Sequence, residues 1–123
     1  MKDISLAVKH INWSIIGPKE WTNIEWTIYT DLSVDIKLFY NAKDQDQETK
    51  CKITEEMYKR LLDQVTLAKE NKNKVEASDG SAWEIIQYEN GQEIWHRSPD
   101  YIYGISSFEE IASILNSLLP NER

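Results

Sequence analysis

DGSAWEIIQYENGQEIWHR, residues 79–97, is the most informative segment of this chain for its fold. Its Asn90-Gly91 pair is the strongest short-range signal for a β-hairpin, because both residues accept the positive φ angles of a type I′ turn. A two-residue turn also sets which side chains share a face of the hairpin. The predicted pairs are Tyr88 with Glu93, Ile86 with Trp95 and Glu84 with Arg97 on one face, and Gln87 with Ile94, Ile85 with His96 and Trp83 with Ser98 on the other.

Both faces of this predicted hairpin carry large aromatic residues among polar ones. A strand with one face in water normally alternates cleanly between apolar and polar residues. The mixed pattern leaves two interpretations open. Either the hairpin is central and covered on both faces, or one face packs on the core while the other presents aromatic and carboxylate groups to a partner.

Length and composition are typical of one globular domain. The chain has 123 residues, of which 41% are hydrophobic and 28% charged, so we expect a single domain spanning residues 1–123. Its net charge is -7, from 21 acidic and 14 basic residues. This charge disfavours direct nucleic-acid binding, which needs a concentrated basic face. It favours a basic protein partner through electrostatic steering, or it serves solubility alone.

The cysteine content and the N-terminus indicate a cytoplasmic protein. Cys51 is the single cysteine, so an intramolecular disulfide is impossible and a reducing compartment is favoured. The opening MKDISLAVKHINWSIIG lacks the uninterrupted apolar stretch of a signal peptide. No run approaches the roughly 20 apolar residues that span a bilayer. We therefore expect no membrane association.

The first half of the chain predicts mainly strands. Apolar residues recur at helical spacing near the N-terminus, which favours a helix over residues 4–12, although the β-branched WSII at 13–16 is typical of a short strand. The runs NIEWTIYT and VDIKLFYN alternate with period two and predict two strands. The polar residues 41–50 predict a solvated loop, and residues 51–53 a short edge strand.

The second half predicts two helices around a group of strands. Thr54 is the predicted N-cap of a helix whose apolar positions include Met57, Leu61, Val65 and Ala68. KVEAS and the hairpin predict a three-stranded meander, broken at residues 98–100 and followed by an extended piece at 101–105. Ser107 and Glu110 form a predicted capping box for a last helix that ends before Pro120. The expected fold is α+β, an antiparallel β-sheet meander of about five to six strands packed with two or three helices.

No catalytic or metal-binding apparatus is recognisable in the sequence. His10 and His96 are far apart and Cys51 has no second cysteine beside it, which disfavours a zinc site. The run DQDQE at 44–48 lacks the central Gly and the Glu at position twelve of a calcium loop. The four glycines all have the spacing of turn residues and not of a phosphate loop. We therefore expect a protein that is not an enzyme and that uses no metal or cofactor.

The overall layout resembles the small immunity proteins found beside bacterial polymorphic and contact-dependent-inhibition toxins. The segments that carry the resemblance are EWTIYTD followed by VDIKLFY, then ITEEMYKRLLDQV, DGSAWEIIQYENGQ and the terminal FEEIASILNSLL. The resemblance is a general pattern over most of the chain. It implies a bacterial inhibitor that binds a cognate toxin, often a nuclease, and covers its active site or an essential surface.

Under that interpretation, carboxylates would meet a basic cleft of the toxin and aromatic residues would supply rigid anchors. The first candidates for partner binding lie on one predicted face of the hairpin and the second candidates on the earlier strands. The first are Glu84, Tyr88, Glu93 and Trp95, and the second are Tyr29 and Asp35.

Two other functions remain compatible with the sequence. One is a small-molecule or peptide-binding module with an aromatic pocket. The candidate lining residues are Trp13, Trp26, Trp83 and Tyr103. The other is a subunit of a larger assembly that docks through an edge strand near Cys51.

Overall fold

A computed structural model of the chain describes residues 3–12, 21–40, 46–70, 81–100 and 106–119. Within those ranges the chain forms six strands and two helices. In chain order they are β1 (Ile4–Asn12), β2 (Trp21–Tyr29), β3 (Ser33–Tyr40), β4 (Gln47–Lys52), α1 (Glu55–Glu70), β5 (Ser81–Glu89), β6 (Gln92–Asp100) and α2 (Ser106–Asn116).

The strands form one open antiparallel sheet in the order β4-β3-β2-β1-β5-β6. Strands β1 to β4 are a meander of consecutive neighbours, and the β5–β6 hairpin is added on the other side of β1. The predicted α+β class with an antiparallel sheet is confirmed. The first strand of the chain is thereby central, and β4 and β6 are the edges.

The predicted helix over residues 4–12 is wrong, because this segment is strand β1. The strand is paired on both sides, with β2 and with β5. Leu6 and Val8 are buried on one face of the sheet, while Ala7 and Ile11 are half-buried on the other. Apolar residues on both faces of a central strand produce a spacing that resembles a helical stripe, and sheet pairing overrides that local signal.

One face of the sheet and the two helices enclose the hydrophobic core. Trp26 of β2, Ile36 of β3 and Ile85 of β5 are buried with Leu61 of α1 and Leu115 of α2 in a single cluster. Each fully buried aliphatic or aromatic side chain contributes about 1.5–3 kcal/mol. We call the opposite side, which carries the half-exposed residues of the strands, the open face of the sheet.

Local contacts fix the two helices on the core. The main-chain N–H of Met57 donates to Thr54 Oγ1 at 3.1 Å, which confirms the predicted N-cap of α1. The Tyr58 hydroxyl donates to the hydroxyl of buried Ser5 at 2.7 Å, so α1 is hydrogen-bonded to the central strand. An ion pair between Arg60 and Glu110 links α1 to α2.

Strands β4 and β6 are longer than predicted. Strand β4 begins at Gln47, inside the predicted loop, because the face that it turns to the core is only half-buried, at Thr49 and Cys51, and does not require a run of apolar residues. Strand β6 continues through the predicted break to Asp100. The predicted strands around residues 13–16 and 74–78, and the extended piece at 101–105, lie outside the described residues.

Candidate functional site

The hairpin turn has the predicted geometry. Asn90 and Gly91 have φ angles of 54° and 78°, as a type I′ turn requires. Next to the turn, Tyr88 lies opposite Glu93 and Glu89 opposite Gln92. The predicted register is therefore correct for the first two residue pairs of the hairpin.

Beyond Glu93 the predicted register is wrong. Trp95 lies opposite Gln87 and not opposite Ile86, because Ile94 is an extra residue in β6 that has no partner on β5. Such a bulge shifts the pairing by one residue, and a shift of one residue exchanges the two faces of a strand. The predicted pairs of Ile86 with Trp95 and of Glu84 with Arg97 therefore do not form. The observed pairs are Gln87 with Trp95, Ile86 with His96 and Ile85 with Arg97.

The bulge places Trp95 on the face that the helices cover. Its half-buried ring packs against the core cluster, and the Lys69 ammonium of α1 lies 5.9 Å from its ring centroid. Trp95 therefore does not share a face with the other first candidates, Glu84, Tyr88 and Glu93, which lie on the open face. The one sequence signal for placing Trp95 on the other face is the mixture of aromatic and polar residues on both predicted faces of the hairpin.

His96 takes the place on the open face that the prediction gave to Trp95. Its Nε2 lies 2.6 Å from Glu84 Oε2. The two side chains are 38% and 19% exposed, so the pair is partly shielded from water and still accessible. Glu84 is thus held by a neighbour on β6, although not by the predicted Arg97.

A row of alternating acidic and basic side chains crosses the open face from one sheet edge to the other. Register pairs Glu48 with Lys37, Lys37 with Glu25, Glu25 with Lys9 and Lys9 with Glu84, and the Glu84–His96 contact completes the row on β6. We call these six residues the charge row. Opposite charges directly across strands contribute about 0.2–1 kcal/mol per pair. The row is invisible in the sequence, because its members are brought together only by strand order and register.

The second candidates, Tyr29 and Asp35, meet next to this row. The Tyr29 hydroxyl donates to Asp35 Oδ2 at 3.0 Å, and Lys50 Nζ lies 3.3 Å from Asp35 Oδ1. Burial and the adjacent Asp35 carboxylate raise the pKa of Tyr29, so the phenol stays protonated and acts as a donor. The first and second candidates, apart from Trp95, therefore lie on one face of the sheet.

The centre of the open face contains a depression of about 190 Å³. Ala7, a small lining residue on the middle strand β1, lies opposite Thr27 on β2 and opposite Ile86 on β5. Three members of the charge row form one side, with Lys9 between Glu25 and Glu84, and Lys9 Nζ lies 3.5 Å from Glu25 Oε2. We call it the Ala7 depression. No sequence signal identified it.

The aromatic pocket predicted for a small-molecule or peptide-binding module is not formed by those of its proposed lining residues that the structure describes. Trp26 and Trp83 are 0% and 4% exposed and stack with ring centroids 5.5 Å apart inside the core. The ring of His10 stacks on Trp83 at 4.0 Å, and burial lowers the pKa of His10 to about 4. Trp13 and Tyr103, the other proposed lining residues, lie outside the described ranges.

The remaining reactive groups of the described residues are the potential metal ligands and one thiol. No group of three or more His, Cys, Asp or Glu side chains among them is arranged to hold a metal ion. Cys51 is half-buried on the edge strand β4, where burial raises the pKa of its thiol. Neither α1 nor α2 is long and apolar enough to cross a membrane. The chemistry that this part of the chain offers is that of paired charges, hydroxyls and aromatic rings on the open face.

Comparison with known proteins identifies no relative of this chain. The chain matches no protein-family model, and neither a curated protein nor a solved structure is significantly similar to it. Function therefore has to be inferred from the open face itself.

Proposed function

We propose that this protein is a non-enzymatic binding module that recognises a basic protein partner through the open face of its sheet. The observation that carries the proposal is the charge row beside the Ala7 depression on a half-exposed sheet face. An ordered row of charges offers specific complementarity to a partner in a way that scattered surface charges do not.

The net charge of the chain supports a partner of opposite sign. A formal charge of -7 attracts a basic protein over distances of about one Debye length and raises the rate of encounter. Exposed or half-exposed carboxylates of the open face, such as Glu84 and Glu93, would then pair with cations of the partner. Tyr29 and Tyr88 are the aromatic anchors available on the same face.

The finer form of the proposal is an immunity protein that neutralises a cognate bacterial toxin by direct binding. The general resemblance of the chain to toxin-associated immunity proteins supports it, as does the net charge of -7, which suits the basic cleft of a nuclease. The proposal places the protein in the cytoplasm, where a lone reduced cysteine such as Cys51 is ordinary. Within this account Trp95 supports the hairpin from the core side and does not contact the toxin.

The test is co-expression with the product of an adjacent toxin gene. We expect the wild-type chain to protect cells from the toxin and to co-purify with it. The double variant Glu84→Lys plus Glu93→Lys should lose both properties, because it inverts two charges of the open face. A matched control, Asp63→Lys plus Glu70→Lys, makes the same charge change on exposed positions of α1, on the other side of the molecule, and should still protect.

Thermal unfolding of each variant establishes that it is folded before its binding is interpreted. Protection by the folded Glu84→Lys plus Glu93→Lys variant would exclude the open face as the binding surface. Failure of the wild-type chain either to bind the toxin or to protect against it would contradict the immunity function itself.

A further inference from the structure

We propose that the Ala7 depression is a subsite for a single arginine side chain of the protein partner. This inference rests on the proposed function, because it assigns one recognition element to the same face. The ligand is the planar guanidinium group of an arginine on a basic protein.

The charge of the depression suits one monovalent cation. Lys9 lies between Glu25 and Glu84 in the register of β2, β1 and β5. Lys9 makes its ion pair with Glu25, and no lysine or arginine of the described residues makes one with Glu84, whose ionic neighbour is the His96 ring. The Glu25 and Glu84 side chains are 34% and 19% exposed, so their oxygens are partly desolvated and accessible. Charge-assisted hydrogen bonds in such partly dry positions are stronger than those in open water.

The shape of the depression suits a long aliphatic stem. Ala7 leaves room between Thr27 and Ile86, and a volume of about 190 Å³ is sufficient for one side chain rather than for a helix or a strand. The methylene groups of an arginine would lie on Ala7 and Ile86 while its head group reached the carboxylates. Arginine is favoured over lysine because its guanidinium donates two parallel hydrogen bonds to a carboxylate and stacks on flat surfaces.

His96 has a positioning role in this subsite. It contacts Oε2 of Glu84 at 2.6 Å, which leaves Oε1 as a hydrogen-bond acceptor for the ligand. The bulge at Ile94 is what brings His96 to this position. A carboxylate held in one orientation loses less conformational entropy when it binds a cation.

The test requires no toxin. Isotopically labelled protein is titrated with N-acetyl-arginine methylamide while amide chemical shifts are recorded, and N-acetyl-citrulline methylamide serves as the uncharged isostere. We expect saturable shifts of the Ala7, Thr27 and Ile86 amides with a Kd on the order of millimolar. The citrulline compound should give no saturable shift at these positions.

Three variants locate the binding. Ala7→Val fills the depression with a residue that strands favour, and Glu84→Gln removes the charge while keeping the shape of the side chain. Each should weaken arginine binding at least about tenfold. Glu70→Gln makes the same charge change at an exposed position of α1, outside the open face, and should leave the Kd within about twofold. Equal shifts with arginine and citrulline, no saturable shift at all, or unchanged binding by Ala7→Val and Glu84→Gln would overturn the subsite.

The experiments distinguish a failure of the arginine subsite from a failure of the proposed immunity function. If arginine binds as expected but no adjacent toxin is neutralised, the immunity function is wrong and the subsite stands. If the toxin is neutralised equally well by the Ala7→Val variant, the subsite is wrong and the immunity function stands.

Discussion

Nε2 of His96 on strand β6 lies 2.6 Å from the Oε2 carboxylate oxygen of Glu84 on strand β5. This contact exists because the bulge at Ile94 turns Trp95 toward the helices and His96 toward the open face. Because Ile94 has no partner on β5, Trp95 packs on the core and His96 becomes the last residue of the charge row on the open face.

The two aromatic residues of the hairpin should differ in their contribution to stability. Trp95→Ala should lower the free energy of unfolding by about 2–3 kcal/mol, because the ring packs on the core cluster. Tyr88→Ala, on the open face of the same hairpin, should cost less than about 1 kcal/mol. Urea denaturation of both variants measures the difference. Equal losses would show that the bulge does not separate the two rings as described.

The turn should depend on the backbone freedom of Gly91. Gly91→Ala should destabilise the protein by about 1–2 kcal/mol, because an L-residue is strained at a φ angle of +78°. An added Cβ would meet no atom within 4 Å, so the cost is conformational and not steric. Gly91→Asn should cost less, since Asn tolerates the left-handed region. If Ala and Asn were equally tolerated at position 91, this explanation would fail.

The hydrogen bond between Tyr58 and Ser5 should stabilise the docking of α1 on β1. Tyr58→Phe should cost about 1–2 kcal/mol, because it leaves the hydroxyl of buried Ser5 without this partner. A double-mutant cycle with Ser5→Ala isolates the pair. The double variant should lose less stability than the sum of the single variants. Strict additivity would mean that the two hydroxyls do not interact.

Stability should fall as the pH is lowered from about 6.5 to about 4, through the titration of His10. Burial lowers the pKa of His10 in the folded state, so the unfolded chain binds the proton more readily and acid favours unfolding. The stabilisation is fully present above the unfolded pKa of 6.5 and is lost progressively toward the folded pKa of about 4.

The size of this effect is set by the shift and by the exposure of the ring. The full shift corresponds to about 3 kcal/mol, and solvent screening at a half-buried ring reduces the expected loss to about 1–2 kcal/mol. His10→Phe retains a ring to stack on Trp83 and should flatten the profile of unfolding free energy between these pH values. An unchanged slope in His10→Phe would assign the acid sensitivity to other groups.

Much of the fold follows from local sequence signals. The Asn90-Gly91 turn, the period-two alternation of β2 and β3 and the Thr54 cap of α1 are each determined by neighbouring residues. The chemistry of a turn or a cap is decided within a few residues, and a strand with one covered face shows its period directly.

The features that were predicted wrongly or missed depend on the pairing of strands that are distant in the sequence. Strand β1 resembles a helix because a central strand carries apolar residues on both faces. The bulge at Ile94 changes the register without a turn residue to mark it. The charge row needs the strand order, which places the β5–β6 hairpin beside β1 and so brings Glu84 opposite Lys9. Glu84, Tyr88, Glu93, Tyr29 and Asp35 could be selected from the sequence, whereas Ala7, Lys9 and Glu25 could not.

Hydroxyl-radical footprinting of side chains, on the free protein and on its complex with the adjacent toxin, tests whether the open face is the binding surface. Tyr29 and Tyr88 report on the open face, and Leu67, 52% exposed on α1, reports on the helical side. We expect complex formation to slow the oxidation of both tyrosines and to leave the oxidation of Leu67 unchanged. Protection of Leu67 with unchanged oxidation of Tyr29 and Tyr88 would contradict this expectation.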